Sequence, residues 1–519
     1  MNRLPQDIYD EIGALLRGPA FDRPALATIS RQWQAAIERQ TFRNIRVKST
    51  DLDRFRETVQ NDRRRYVNTI EYIIVLPAYD DEKRCRFERE NDRHANNEVF
   101  TAAIYRLFHL LKSWDACKDG YIRLRLRDVY SCADHPFLRR TSPSFKVEIS
   151  SSLRRDADNG NTVVDLWTWR FRYSYLRLLN PSELPMVPVI RTFVTCPMTR
   201  NICDRVPIDI AAKLPNLQRT SWVMRDWEIR YINLRRAHRH DLAQAVTEVL
   251  PRFPALQSLS LWMGSVYLWA PNFSLGTLNL DDSEFDTLSG AIRTATGNIS
   301  TLKELVICGS FDWSLLWPGP AHALVEPYWQ SLERLQVTFA MRRPSGGFYF
   351  RNPQPLSPPL ETEVPPGYRH SEEEDVTAAM SFSVWEDRYP GNMHFELVPD
   401  DDSLVPLIEA FGQACLQMPE LKSAQLFTVV PAPAELNANQ SSRNRSLWGV
   451  WYFSPYTYPH TPPTIIDENM DPAFFEDVHH RRLFWNVRDW TPDMDLRRLL
   501  GNIGRERYGT YLVEKFFDA

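Results

Sequence analysis

The side chains with the widest chemical range in this 519-residue sequence are seven cysteines and 11 histidines. The cysteines, at 85, 117, 132, 196, 203, 308 and 415, are widely scattered and form no C-x-x-C pair. Structural zinc sites rely on such close pairs, so no metal site is expected. An odd, dispersed set reads as reduced core thiols in an intracellular compartment, cytoplasmic and/or nuclear. No spacing singles out one of them, with a His and an Asp, as a nucleophile. His238 and His240 are two apart; on a helix they point about 200° away from each other and do not share a metal easily. With Arg239 between them they read as a solvated basic turn. His479-His480, ahead of Arg481-Arg482, reads as a loop or strand edge. Walker, G-x-G-x-x-G, G-x-S-x-G and H-E-x-x-H motifs do not occur. The expectation is a protein with no catalytic residue, no cofactor and no metal of its own.

Charge offers two further candidates. Tyr121 to Arg127 alternates: Ile122, Leu124 and Leu126 face one way, and Arg123, Arg125 and Arg127 the other. That row suits a phosphate or an acidic partner, or equally a solvated, ion-paired strand face. Arg63-Arg64-Arg65 reads as a solvated helix end rather than a nucleic-acid patch. The whole chain balances 62 Lys and Arg against 66 Asp and Glu, a net of −4. That excludes a globally basic nucleic-acid binder. The balance hides a strongly acidic stretch: residues 351–420 hold 14 acidic and three basic side chains.

Composition sets the frame for the elements. Sixteen Trp and 12% aromatic residues exclude a disordered chain. Thirty-seven Pro against 19 Gly invert the usual order of about 5% and 7%. The N-terminus lacks the apolar core of an export signal. No stretch approaches the roughly 18 apolar residues of a membrane span.

The first 45 residues are the most patterned. Leu4, Ile8, Ile12 and Leu15 recur every three or four positions, one face of a helix. Pro5 suits its first turn, and Gly18-Pro19 ends it. Asp22 is a candidate N-cap, with Pro24 in the turn that follows. A second stripe runs through Leu26, Ile29, Trp33 and Ile37, and Phe42 and Ile45 close the segment. Two or three short helices cannot bury these faces alone, so a partner or the rest of the chain must cover them.

The order Leu4-Pro5-Gln6-Asp7-Ile8, Ile12, Ile29-Ser30-Arg31-Gln32-Trp33 and Phe42 resembles an F-box. The resemblance covers residues 1–48. It implies binding to the Skp adaptor and, through it, to a cullin–RING (SCF) ubiquitin ligase. In that reading Leu4, Pro5, Ile8, Ile12 and Leu15 enter an apolar groove on the adaptor. Leu26, Ile29, Trp33 and Ile37 shape the hairpin and add contact area. The alternative is an amphipathic hairpin packed on its own domain.

Beyond the hairpin, Asp51–Arg65 reads as a helix with Leu52, Phe55 and Val59 inside. Ile70–Leu76 reads as a strand and Glu98–Trp114 as a helix. Leu166–Tyr175 alternates Trp167, Trp169, Phe171, Tyr173 and Tyr175, an aromatic core strand. From about residue 205 a helix, a leucine corner and a strand recur. The corners end at Leu217, Leu256, Leu302, Leu332 and Leu421, spaced 39, 46, 30 and 89 apart. Strands are expected at 259–262, 304–308 and 334–339, after helices at 241–250, 284–293 and 404–416. A strict leucine-rich repeat has a period of 20–29 residues. The longer units resemble the degenerate leucine-rich repeats found behind many fungal F-boxes. A compact α/β domain with several helix–strand crossings is the alternative.

Residues 341–403 crowd nine prolines, seven of them before residue 367, and Glu372-Glu373-Glu374-Asp375 between two corners. They read as an insertion, partly disordered and looping out at least over 351–376; an acidic arm for a basic partner is the functional alternative. The last stretch is aromatic-rich, with strands at 447–453 and 481–488. A helix follows, with Thr491 as N-cap and Leu496, Leu499, Leu500 and Ile503 on one face. From Trp485 onward it is similar to a conserved tail, of unknown role, of fungal F-box proteins.

The expected fold is therefore α/β. A helical F-box (1–48) precedes an irregular leucine-rich-repeat-like α/β solenoid (49–340) and the insertion (341–403). A last repeat-like unit with a C-terminal α+β segment (404–519) ends the chain. The resemblance implies a substrate-receptor subunit, not an enzyme. It assigns no residue to an unknown client protein, and expects neither membrane nor nucleic acid as partner. The alternative is a non-catalytic interaction scaffold acting outside a ligase.

Overall fold

The structure is a computed structural model. It describes residues 4–16, 23–84, 86–115, 120–134, 153–155, 162–164, 170–226, 231–264, 276–279, 285–318, 329–351, 364–375, 377, 398–431, 445–458 and 476–517. The chain is mixed α/β and forms two compact units, Met1–Trp222 and Val223–Ala519.

The first unit opens with three helices: α1 (Gln6–Leu15), α2 (Arg23–Ala27) and α3 (Arg31–Thr41). The strands β1 (Asn44–Lys48), β2 (Thr69–Leu76), β3 (Ile122–Ser131), β4 (Ile190–Thr195) and β5 (Arg219–Met224) then pair in that order, every pair parallel. Parallel neighbours need a crossover, and α4 (Leu52–Thr58), α5 (Asp62–Tyr66) and α6 (Glu90–Lys112) supply crossovers here. Leu52, Phe55 and Val59 are buried as their spacing predicts. The expected single helix 51–65 is two, because the chain turns at Asn61, whose φ is +49°. The described part of the aromatic stripe is also core: Phe171, Tyr173 and Tyr175 are buried. It is a turn rather than a strand before Tyr175, and Trp167 and Trp169 lie outside the described residues.

In the second unit, α7 (Ile232–Val249), β6 (Ser258–Met263), α8 (Thr287–Gly297), β7 (Glu304–Gly309), β8 (Arg334–Phe339), α9 (Asp401–Leu416) and β9 (Ser423–Pro431) follow in order. The strands β6 to β9 are parallel neighbours. Each corner leucine is 2% exposed or less, and its amide donates to the carbonyl three residues back. The next two amides donate to one carbonyl of the preceding corner: Lys303 and Glu304 to Gln257, Glu333 and Arg334 to Lys303, Lys422 and Ser423 to Glu333. The leucine fixes each corner by burying its side chain, about 2 kcal/mol apiece, while the stacked carbonyls set the register.

The pattern changes after β9. Strands β10 (Arg445–Phe453) and β11 (Arg481–Asn486) add antiparallel, and β12 (Leu512–Phe516) pairs parallel with β11. Phe427, Trp451, Phe453 and Phe484 form their aromatic core. The helix α10 (Met494–Gly501) begins as expected but one cap later: Asp493, not Thr491, accepts from the Leu496 amide at 2.7 Å. The segment 341–403 is not wholly a loop. Tyr349 and Phe350 are buried, and Phe350 meets Trp448 edge-on at 5.3 Å. The chain returns along itself, with Arg351 donating to Val398 and Asp400 to Tyr349. Pro365, Pro366 and Asp375 are buried too, whereas Glu372 to Glu374 are exposed. Residues 352–363 and 378–397 lie outside the described part.

Candidate functional site: the N-terminal helical hairpin

The hairpin is built by close backbone approach and by amide side chains. Pro5 occupies the N-cap of α1 with extended backbone, where its missing N–H costs nothing. Ser30 caps α3 by accepting from the Trp33 amide at 3.2 Å, and so divides the second apolar stripe into α2 and α3. Gly13 is buried against α3. A Cβ there would lie 3.0 Å from Gln40 Nε2 and 3.7 Å from Ala36 Cβ. Gln6 donates to the Gln32 carbonyl at 3.1 Å, and Gln40 to that of Asp10 at 3.2 Å. Arg39 pairs with Asp10, and Tyr9 packs edge-on against Trp33 at 5.4 Å.

Packing sorts the nine candidate residues. Ile37 is only 4% exposed, so it holds the hairpin together and does not present itself to a partner. That corrects its place in the expected contact set; it continues α3 on the side that faces α1. Ile8, Ile12, Leu26 and Trp33 are half-buried, and Pro5 is exposed. Leu15, Ile29 and Leu4 are 80%, 62% and 49% exposed. Exposed apolar side chains of this kind, one at the end of α1 and two beside the helices, suit a groove on a partner. Sequence reasoning missed Gln6, Gln40 and Ser30; the serine one residue before a helical run was the available signal.

The buried charges are a separate feature. Arg235 and Arg239, one turn apart on α7, both bind Asp226. Arg239 also reaches Asp286 at 2.7 Å and the Ser310 carbonyl at 3.0 Å. Arg239 is 3% exposed, so the expected solvated basic turn is corrected to a buried ion-pair centre. Only His240 of that trio is exposed. Burial pushes the Asp226 carboxyl up, but the two guanidiniums outweigh it and hold it below the usual range. Asp312 accepts from the Asp286 and Ser314 amides at 2.9 and 3.0 Å. Burial and the neighbouring Asp286 push it up to about 6. The first unit has an analogous centre, in which Arg200 bridges Glu88 at 2.5 Å and Asp134 at 2.7 Å. These carboxylates are satisfied by arginines and backbone amides inside the fold. They tie together loops that follow the strands.

The remaining candidates are placed as follows. In the β3 row, Arg125 pairs with Glu71 at 3.1 Å, a partner it shares with Arg46. Arg63 pairs with Glu38, and Arg64 lies over Trp114. Burial pushes the Cys308 and Cys415 thiols far up, which disfavours the nucleophilic thiolate. Among the described residues, no group of three His, Cys, Asp or Glu could hold a metal, and no helix is long and apolar enough to cross a membrane. Compared with models of known protein families and with curated proteins, the chain matches none.

Proposed function

We propose that the chain is a substrate receptor of an SCF ubiquitin ligase, using an F-box-like hairpin to bind the Skp adaptor. The observation that carries this reading is the exposure of Leu4, Leu15 and Ile29 on a hairpin that buries Tyr9, Ala36 and Ile37. The order of Leu4-Pro5, Ile8, Ile12 and Ile29-Ser30-Arg31-Gln32-Trp33 supports the same reading. The corner–strand units would form a leucine-rich-repeat-like solenoid holding a client protein near the ubiquitin-charged enzyme. No nucleophile is then required of this chain, since rate comes from proximity.

A scaffold that works without a ligase is the second reading. Affinity purification of the full chain beside a variant lacking residues 1–48, with the proteasome blocked, separates them. The ligase reading expects adaptor, cullin and ubiquitinated client with the intact chain, and, with the deletion, loss of adaptor and cullin while the client is retained unmodified. Cullin absent from the intact chain, with clients recovered unmodified, supports the scaffold.

A further inference from the structure

A pocket of about 520 Å³ opens where the end of α3 meets the amino ends of β2 and β3. Arg39, Arg43, Arg65, Tyr66, Asn68 and Tyr121 line it, and no carboxylate does. Two of the three guanidiniums already have partners outside the lining: Arg39 has Asp10, and Arg65 has Asp62 at 3.4 Å. The Arg43 side chain has none among the described residues. Its backbone is nevertheless fixed, because its carbonyl accepts from the Asn68 and Thr69 amides, both at 2.9 Å.

A fixed residue carrying an uncompensated cation in a concave basic site focuses field on an anion. The guanidinium fork matches phosphate oxygens two at a time. The two tyrosine hydroxyls and the Asn68 side-chain amide are neutral donors among the lining residues. Arg39 lies over the Tyr66 ring at 5.6 Å, which holds that guanidinium against the wall. The volume is that of a small-ligand site, and one guanidinium, that of Arg43, is left for a ligand.

We propose that this pocket binds a phosphate-bearing ligand, with the Arg43 guanidinium as the principal contact to the phosphoryl group. The inference is independent of the adaptor reading. The phosphate can come from a small polyphosphate or from a phosphorylated side chain.

Titration calorimetry of the full chain at low salt distinguishes these. The probes are inorganic pyrophosphate and O-phosphotyrosine, with tyrosine and a single-stranded RNA as comparisons. Saturable one-site binding of either phosphate probe is expected, with none for tyrosine. Arg43→Glu should weaken it at least about tenfold, and Arg43→Gln somewhat less. Lys303→Glu, in the second unit, should leave it unchanged. Tighter pyrophosphate binding assigns the site to a polyphosphate; tighter phosphotyrosine binding assigns it to a phosphorylated side chain. Three results would overturn the proposal: no saturable phosphate binding, binding unaffected by both Arg43 variants while their thermal midpoints match wild type, or RNA binding without pyrophosphate binding.

Discussion

Lys422 donates to the Glu333 carboxylate at 2.6 Å although 89 residues separate them. Each stands directly after a corner leucine, Leu421 and Leu332. Lys303, after Leu302, reaches the other Glu333 oxygen at 3.2 Å. Three successive corners therefore share one ladder of alternating charge. The stacking is kept although 83 residues and α9 separate β8 from β9: the Lys422 and Ser423 amides still donate to the Glu333 carbonyl.

That ladder marks the register more than it stabilises it. The pairs are half-exposed, and such pairs contribute about 0–1 kcal/mol. Glu333→Ala should shift the urea midpoint little. Leu332→Ala, one residue away and fully buried, should cost about 2–5 kcal/mol. Equal effects would mean that charge, not the leucine, fixes the corner.

Arg239→Ala leaves Asp286 without its guanidinium and Asp226 with only Arg235. A buried ion-pair network broken on one side should cost about 3–5 kcal/mol. His240→Ala, at the exposed neighbour, should stay within about 0.5 kcal/mol. Thermal denaturation of the two variants beside wild type checks the contrast.

Asp312 gives a pH signature. Its carboxyl titrates at about 6 in the fold against an ordinary 3.8, so the folded state holds the proton more tightly. Its contribution to stability is complete below about pH 4 and is lost as pH rises through 6. Asp312→Asn should therefore gain on wild type between pH 4 and 7, read as the difference in denaturation midpoints. Asp226, held low by its arginines, acts in the opposite sense: its contribution is present above pH 4 and lost as pH falls below it. A wild type–Asp312→Asn difference that does not change with pH would contradict the assignment.

Two glycines should respond in opposite directions. A Cβ on Gly449 would lie 2.2 Å from the Leu426 carbonyl and 2.6 Å from Phe427 Cα, both backbone atoms of the paired strand. Gly449→Ala should cost at least about 1–3 kcal/mol. Gly290, inside α8, has nothing within 4 Å, and Gly290→Ala should gain about 0.5–1 kcal/mol. Circular dichroism melts of both variants would show it.

What was legible in the sequence was local. The corners at Leu256, Leu302, Leu332 and Leu421 join a helix stripe to a β run within a few residues, and each folds as its pattern implies. Helix caps and breaks depend on single backbone turns, which is why Asn61 divides one expected helix and Asp493 displaces Thr491. Arg239 looked solvated because its carboxylates, Asp226 and Asp286, lie 13 and 47 residues away. Its alignment with Arg235, Leu242 and Val246 on one face of α7 was the available sign of burial. Within the hairpin, helical spacing grouped Ile37 with Leu26 and Ile29. Only the packing of α3 on α1 separates the residue that closes the interior from those left outside.

The central claim rests on the surface of Leu4, Pro5, Leu15 and Ile29, and adaptor affinity tests it most directly. Purified Skp adaptor would be titrated with wild type, with Leu4→Ala/Pro5→Ala and with Leu15→Ala/Ile29→Ala, each variant first matched to wild type in thermal midpoint. The prediction is tight binding by wild type and a loss of at least about a hundredfold in both double variants, about 2.8 kcal/mol. No binding by wild type, or equal binding by all three, would contradict it.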